Sequence, residues 1–356
     1  MSGERNKIKD YSPQKLVNII EEMGEPSYRA GQVLSWLYTK KVSRFEEMTN
    51  LPAGLRERLE ERFAIDSLTV KEKFVSPRDG TVKYLFAARD GHLLECAVLR
   101  QDYGNTVCVS SQIGCGLGCV FCASTEGGLA RNLTAGEMLD QFILGEKGFD
   151  DAEKIKNIVV MGMGEPLNNL NELLKFLRTA NNPKGLGIGY RNITVSTAGI
   201  VPKILELAKE NLPITLAVSL HAPDNETRSR LMPVNKKYPV ETVMDSCQKY
   251  FEVTGRRVSF EYTLMAGQND SPSQAQGLVK LIKEKDMAAH INLIPVNPAG
   301  REGIKSPSRE IVKRFYEIIE SGGVSVSIRR ERGKDIEGAC GQLRRRYMSE
   351  VKKDDG

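Results

Sequence analysis

The chain has 356 residues, 40% apolar and 27% charged, which is enough to bury a sizeable core and too evenly mixed for a disordered or fibrous protein. No apolar run approaches the roughly 18 residues of a membrane helix, and the opening MSGERNKIKDYSPQ has no apolar stretch of the secretory kind, so a cytoplasmic protein is expected. Basic residues exceed acidic ones by 51 − 46 = 5, a mild excess that allows a nucleic-acid partner without demanding one.

In chain order, Ser12-Pro13 followed by QKLVNIIEEMG reads as a capped helix, with serine at the cap and proline in the first turn. Two more short helical patterns cover 28–37 and 55–63. Alternating runs at 70–75, 81–88 and 92–100 read as strands joined by Arg-Asp-Gly turns. Residues 1–100 are therefore expected to be a small helical accessory module with a short β extension. From residue 105 the rhythm becomes strand, loop, helix. Strands are expected at 105–111, 157–162, 192–197, 214–220, 258–264, 291–296 and 324–328, and helices between them at 135–145, 170–179, 201–210, 240–251, 272–285 and 309–320. This alternation predicts an α/β domain over 101–334 with a parallel sheet. An open doubly wound sheet and a full or partial barrel both fit. No GxGxxG opens the first helix, which counts against dinucleotide binding.

Seven cysteines occur, Cys96, Cys108, Cys115, Cys119, Cys122, Cys247 and Cys340. An odd number without a signal argues against a disulfide framework. The histidines His92, His221 and His290 all lie far along the chain from the four cysteines within 108–122, so a Cys₂His₂ zinc site is hard to assemble. Cys115-Gly-Leu-Gly-Cys119-Val-Phe-Cys122 is C-x₃-C-x₂-C on a loop that Gly116 and Gly118 allow to curl. A [4Fe–4S] cluster normally takes four cysteines. Three would leave one iron open for chemistry on a ligand; a structural zinc or a set of redox thiols is the plainer alternative.

The triplet, with Phe121 before its last cysteine, resembles the radical S-adenosylmethionine (SAM) superfamily. That resemblance implies a partial (βα)6 TIM-like barrel, one [4Fe-4S] cluster on Cys115, Cys119 and Cys122, and SAM on the open iron. The segments CVSSQIGCGLGCVFCAS, RNLTAGE, VVMGMGEPLNN, SLHAP, INLIPVNP and GACGQL, in this order, resemble the RNA adenine methyltransferases of the RlmN/Cfr group over residues 95–343. Pro166 and Pro295 resemble the RlmN branch; alanine and arginine there would point to Cfr. The RlmN branch implies methylation of adenine carbon 2 in 23S rRNA and, beside the anticodon, in tRNA, whereas a Cfr-like enzyme would methylate carbon 8.

The resemblance also implies roles. Cys340, in the C-terminal segment 335–356, accepts a methyl group from one SAM, and a second SAM furnishes the 5′-deoxyadenosyl radical that removes a hydrogen from it. Cys108 resolves the adduct through a disulfide with Cys340, and Glu95 accepts the proton leaving carbon 2. Gly164, Glu165, Ser196, Ser219, Leu220, His221 and Asn297 are expected to contact SAM. In 329–346, seven Lys or Arg against three Asp or Glu surround Cys340, a basic segment suited to phosphates. Arg29, Lys40, Lys41 and Arg44 near Tyr38 are a second expected RNA surface, against the alternative of a solvated helix face. A flavodoxin or ferredoxin is implied as electron donor, and a monomer is expected. Cys96 and Cys247 match no motif and are expected to be structural. From a different class, a non-catalytic iron–sulfur RNA-binding protein would leave Glu95, Cys108 and Cys340 unexplained.

Overall fold

A computed structural model describes residues 5–148, 154–297, 303–329 and 332–336. At the N-terminus, β1 (Asn6–Lys7) pairs with β2 (Phe63–Ala64), and three helices lie between: α1 (Pro13–Glu22), α2 (Tyr28–Leu34) and α3 (Ala53–Arg62). Ser12 caps α1 by accepting from the Lys15 N–H, with Pro13 at the first position. Helix α2 ends three residues earlier than expected and continues as a π-turn over Ser35–Thr39, which turns Trp36, Leu37 and Tyr38 inward.

Strands β3 (Leu68–Val75), β4 (Val82–Ala88) and β5 (Leu93–Leu99) are antiparallel, and β5 pairs in turn with β6 (Asn105–Cys108). A small ribbon follows: β7 (Gln112–Gly114) pairs with β8 (Leu129–Asn132), and the cysteine loop is the connection between them. Then α4 (Ala135–Lys147), β9 (Ile155–Val160), α5 (Leu170–Asn181), β10 (Ile193–Thr197), α6 (Val201–Lys209) and β11 (Thr215–Ser219) alternate. After α7 (Asn225–Leu231) and α8 (Val240–Thr254) come β12 (Val258–Leu264), α9 (Pro272–Lys283), β13 (Ala289–Pro295), α10 (Arg309–Ser321) and β14 (Val326–Ile328).

One ten-stranded sheet runs in the order β14-β13-β12-β11-β10-β9-β6-β5-β4-β3. From β6 to β14 every pairing is parallel and each strand lies beside its sequence neighbour in the sheet's order. A doubly wound sheet needs a reversal of order, which is absent among the described strands. Right-handed crossovers that always step the same way put all helices on one face, and the sheet curls into a partial barrel. The antiparallel strands β3–β5 extend its β6 edge.

Alternation along the strands gives the barrel two faces. A Cβ added at Gly145 of α4 would meet Val98 at 3.1 Å and Val107 at 3.9 Å, so these valines face the helices. Their neighbours Ala97 and Cys108, which pair across β5 and β6, face the interior, as do Glu95 and Lys83 by the period of two. Further round, Ser219, Glu261, Asn292 and Ser327 stand side by side on four successive strands. The interior is thus polar-lined. The RNLTAGE segment starts α4 as a capping box: Thr134 accepts from the Glu137 N–H at 3.2 Å and Glu137 accepts from the Thr134 N–H at 2.9 Å. Arg131 forks onto both Glu137 oxygens at 2.8 Å, locking β8 to this cap.

Candidate active site

The cysteine loop leaves β7 and returns at β8, with Cys115 N–H bonded to Gly128 O at 3.1 Å. Gly118 has φ +71°, the left-handed turn that brings Cys119 back toward Cys115. Val120 N–H donates to Leu231 O at 3.0 Å, docking the loop on the end of α7. Cys115 and Cys119 are buried and Cys122 is half-buried. Burial pushes the Cys115 thiol up to about 11 and the Cys119 thiol higher still, the latter reinforced by Cys122, Cys115 and Glu165. Among the described residues no three His, Cys, Asp or Glu side chains converge on a single metal ion. Ligands of a cubane each take a different iron and need not converge so closely. Three soft sulfur donors on one loop, shielded except toward Cys122, fit a [4Fe–4S] cluster, and its uptake would displace thiol protons.

His221 lies far from this loop in sequence, yet its ring meets Phe121 edge-on at 4.9 Å. Its backbone is left-handed, φ +59°, which is costly for a non-glycine residue. The Nδ1 atom accepts from the Thr263 N–H at 2.9 Å, so the ring proton sits on Nε2. Burial holds the imidazole neutral, its pKa driven down to about 3. Sequence distance concealed this neighbour of the cysteine loop.

In the GMGEP segment Gly162 N–H donates to Val109 O, Met163 N–H to Ser110 Oγ and Glu165 N–H to Gln112 Oε1, at 3.0, 2.9 and 2.8 Å. The glycines are there for closeness: a Cβ at Gly164, where φ is +99°, would lie 2.4 Å from Gln112 Cβ. Gly164→Ala is accordingly expected to cost on the order of 1–3 kcal/mol in chemical denaturation. Gly187→Ala, with φ +70° and nothing within 4 Å, should cost less than Gly164→Ala; equal losses would remove the packing argument.

Glu165 caps the short 3₁₀ turn Pro166–Asn169 through Leu167 N–H at 3.0 Å and reaches across to Ala198 N–H at 2.7 Å. Its carboxyl, 2% exposed, is raised to about 7 by burial, against which the two backbone bonds act. Ser196 and Ser219 are half-buried on β10 and β11, Leu220 is buried, and Asn297 follows β13 half-buried.

Glu95 is not on a solvated face. It is 4% exposed and forms an ion pair at 3.0 Å with Lys83, itself 1% exposed. Ser110 Oγ donates to Glu95 O at 2.6 Å, which fixes Glu95 just beyond Cys108, at the carboxyl end of β6. Lys83 was missed in the sequence; a lysine flanked by Val82 and Tyr84 in an apolar strand was the available signal. Cys108 is buried, as are Cys96 and Cys247. Cys340 lies outside the described residues.

Of the residues expected at an N-terminal RNA surface, Tyr38 is 3% exposed. Lys41 pairs with Glu146, Arg29 donates to Gln32 and to Asn50 O, Arg44 lies 3.6 Å from Glu46, and Lys40 sits over the Trp36 ring at 3.5 Å.

Comparison with known proteins agrees with this arrangement. Residues 109–275 match the radical SAM superfamily, and residues 7–65 match the ribosomal RNA large subunit methyltransferase N-terminal domain. The chain is 47% identical over 343 residues to a "Probable dual-specificity RNA methyltransferase RlmN" of Thermoanaerobacter sp. (strain X514), covering 96% of this chain and 99% of the relative. It is 48% identical to a protein of the same name from Bacillus velezensis, covering 96% and 93%. Among solved structures, a radical SAM methyltransferase from Sphaerobacter thermophilus superposes with TM-score 0.90 at 40% identity, covering 95% of this chain and 98% of that one.

Proposed function

Because the chain belongs to the RlmN family of radical SAM RNA methyltransferases, we propose that its target is carbon 2 of adenine in 23S rRNA and, beside the anticodon, in tRNA. Carbon 2 is electron-poor, so direct attack on a methyl sulfonium is closed to it. Bound together, a [4Fe–4S] cluster and SAM would supply the 5′-deoxyadenosyl radical that removes a hydrogen from a methyl group.

The protein's residues do the rest. The Cys340 thiolate attacks the methyl carbon of one SAM, S-adenosylhomocysteine leaves, and the S-methylated Cys340 becomes the carrier. Once its S-methyl has lost a hydrogen, the methylene carbon bonds to adenine carbon 2. Glu95 takes the carbon 2 proton. The Cys108 thiol gives up its proton and attacks the sulfur of Cys340, the sulfur–methylene bond breaks, the freed methylene carbon takes up a proton to become the methyl group, and a disulfide is left. One proton and one electron leave overall, the electron to a one-electron acceptor, a role a bound cluster would fill, and an external reductant restores the thiols. Two SAM molecules are used per turnover, with a flavodoxin or ferredoxin as electron source. The basic stretch around Cys340 brings the carrier to the RNA backbone, and the target base must leave its stack to reach it. Carrying this reading is one observation: Glu95 and Cys108 share the interior sheet face at the carboxyl end of β6, where barrel enzymes gather their chemistry.

Anaerobic reconstitution with iron and sulfide, then incubation with SAM, a reductant and unmodified rRNA, should yield 2-methyladenosine. Methylation at carbon 8 alone would replace the assignment with a Cfr-like one.

Glu165 is assigned to the ammonium of SAM, and this makes binding pH-dependent. The carboxyl must ionise to accept the ammonium, so below its pKa of about 7 binding releases a proton and should strengthen about tenfold per pH unit; above that it should level off. Glu165→Gln should bind more weakly and lose this slope in calorimetric titration. The same raised pKa adds stability below the unfolded value of 4.5 that is lost as pH rises through about 7, so Glu165→Gln should also flatten the stability profile there.

A further inference from the structure

Arg228 on α7 is wholly buried. Its guanidinium donates to Leu220 O at 3.0 Å, Asn235 Oδ1 at 2.9 Å, Tyr238 O at 3.2 Å, Ala198 O at 2.7 Å and Ser219 O at 3.2 Å. All these acceptors are neutral, and among the described residues no carboxylate pairs with it. Neutral dipoles solvate a buried cation without cancelling its charge, an expensive arrangement unless an anion lies near.

The position of the cation points to that anion. Helix α7 carries Arg228 and, three residues on, Leu231, whose carbonyl anchors the cysteine loop at Val120. Cys119, Ala198, Leu231 and Met232 pack in one apolar cluster. The other titratable groups nearby do not answer the charge. His221 is neutral, and Cys247 is a buried thiol raised to about 12. Glu165 is held one peptide away: it takes the Ala198 N–H while Arg228 takes the Ala198 carbonyl.

We propose that Arg228 is the built-in counter-charge of the [4Fe–4S] cluster on Cys115, Cys119 and Cys122, a positioning residue that eases reduction of the cluster and ties together the ends of β10 and β11 behind it. The inference rests on the cluster reading of the three cysteines. Three thiolates on an oxidised cubane leave a net negative charge, and reduction adds another. A fixed cation in a low-dielectric setting favours the more negative state.

The test uses full-length reconstituted protein carrying Arg228→Lys, Arg228→Met or Arg228→Gln, with iron content, thermal unfolding and the cluster midpoint from a spectroscopically followed redox titration. The two neutral variants should shift the midpoint to more negative potential and gain less thermal stability on cluster loading than wild type does. Arg228→Lys, which keeps the charge but loses most of the carbonyl net, should hold a midpoint near wild type. Unchanged midpoints in the neutral variants would overturn the proposal. So would failure of all three variants to fold without the cluster while wild type folds, because the hydrogen bonds that Arg228→Lys also loses would then account for the residue. A wild type that takes up no iron would overturn the cluster reading itself, a distinct result visible before any variant is compared.

Discussion

Replacing Cys108 by alanine is expected to trap the reaction rather than silence it. Cys340 still accepts a methyl group, hydrogen abstraction still occurs, and the methylene carbon still bonds to adenine. No second thiol can then attack the Cys340 sulfur, so turnover should stop at one event or fewer per protein. RNA should stay joined through a carbon–sulfur bond that denaturants and thiol reductants leave intact. On a denaturing gel this is a protein band shifted by the RNA and abolished by nuclease. Cys340→Ala behaves differently: it should take up iron normally yet form neither methylated protein nor adduct. The position of Cys108, buried and facing the interior on the final residue of β6, fits a reacting thiol and a packed one alike, and the adduct is what separates the two. If it served packing alone, Cys108→Ala would give a less stable protein and no adduct. Normal turnover by the variant would exclude the two-cysteine mechanism.

Alanine at Cys115, Cys119 or Cys122 is expected to abolish activity at an earlier point. Each change removes one sulfur donor from the loop between β7 and β8, and a cubane left with two protein ligands should be lost or degraded. The brown chromophore and the reductive cleavage of SAM should disappear together, a fall to background. The fold should survive, since the core lies in the β-strands and their covering helices and the loop is anchored by backbone bonds at Cys115 and Val120. Protein carrying stoichiometric zinc, with no iron-dependent activity, would sink the assignment.

Much of the architecture was legible because it is local. Ser12-Pro13 announces α1, and the alternation of strand and helix after residue 105 marks every parallel strand to within a few residues. Where the expected bounds fail, a specific partner draws the chain away. The run at 105–111 stops at Cys108 because Ser110 N–H turns to the Gln141 side chain and Ser111 N–H to Met163 O. Long-range pairs left no such trace. Lys83 reaches Glu95 only because β4 and β5 pair in one register, and Arg228 reaches Ala198 and Ser219 only after β10 and β11 lie side by side. The ribbon β7–β8 that closes the cysteine loop was also unforeseen, since its strands of three and four residues carry too little pattern to stand out. Of the proposed chemistry, the cysteine spacing was readable directly. The roles of Glu95, Cys108 and Cys340 came from resemblance, because nothing in a single Glu or Cys distinguishes a reacting group from a packed one.

The central claim, that a methylene carbon rather than an intact methyl group is transferred from Cys340 to adenine, is tested most directly by isotope. Protein should be expressed and purified so that Cys340 is unmethylated, then supplied with SAM deuterated in its methyl group, a reductant and unmodified rRNA, and the nucleosides analysed by mass spectrometry. The account predicts 2-methyladenosine whose methyl group holds two deuterons and one hydrogen, with the third deuteron in 5′-deoxyadenosine. A methyl group carrying all three deuterons would mean direct transfer from SAM, and would contradict the mechanism.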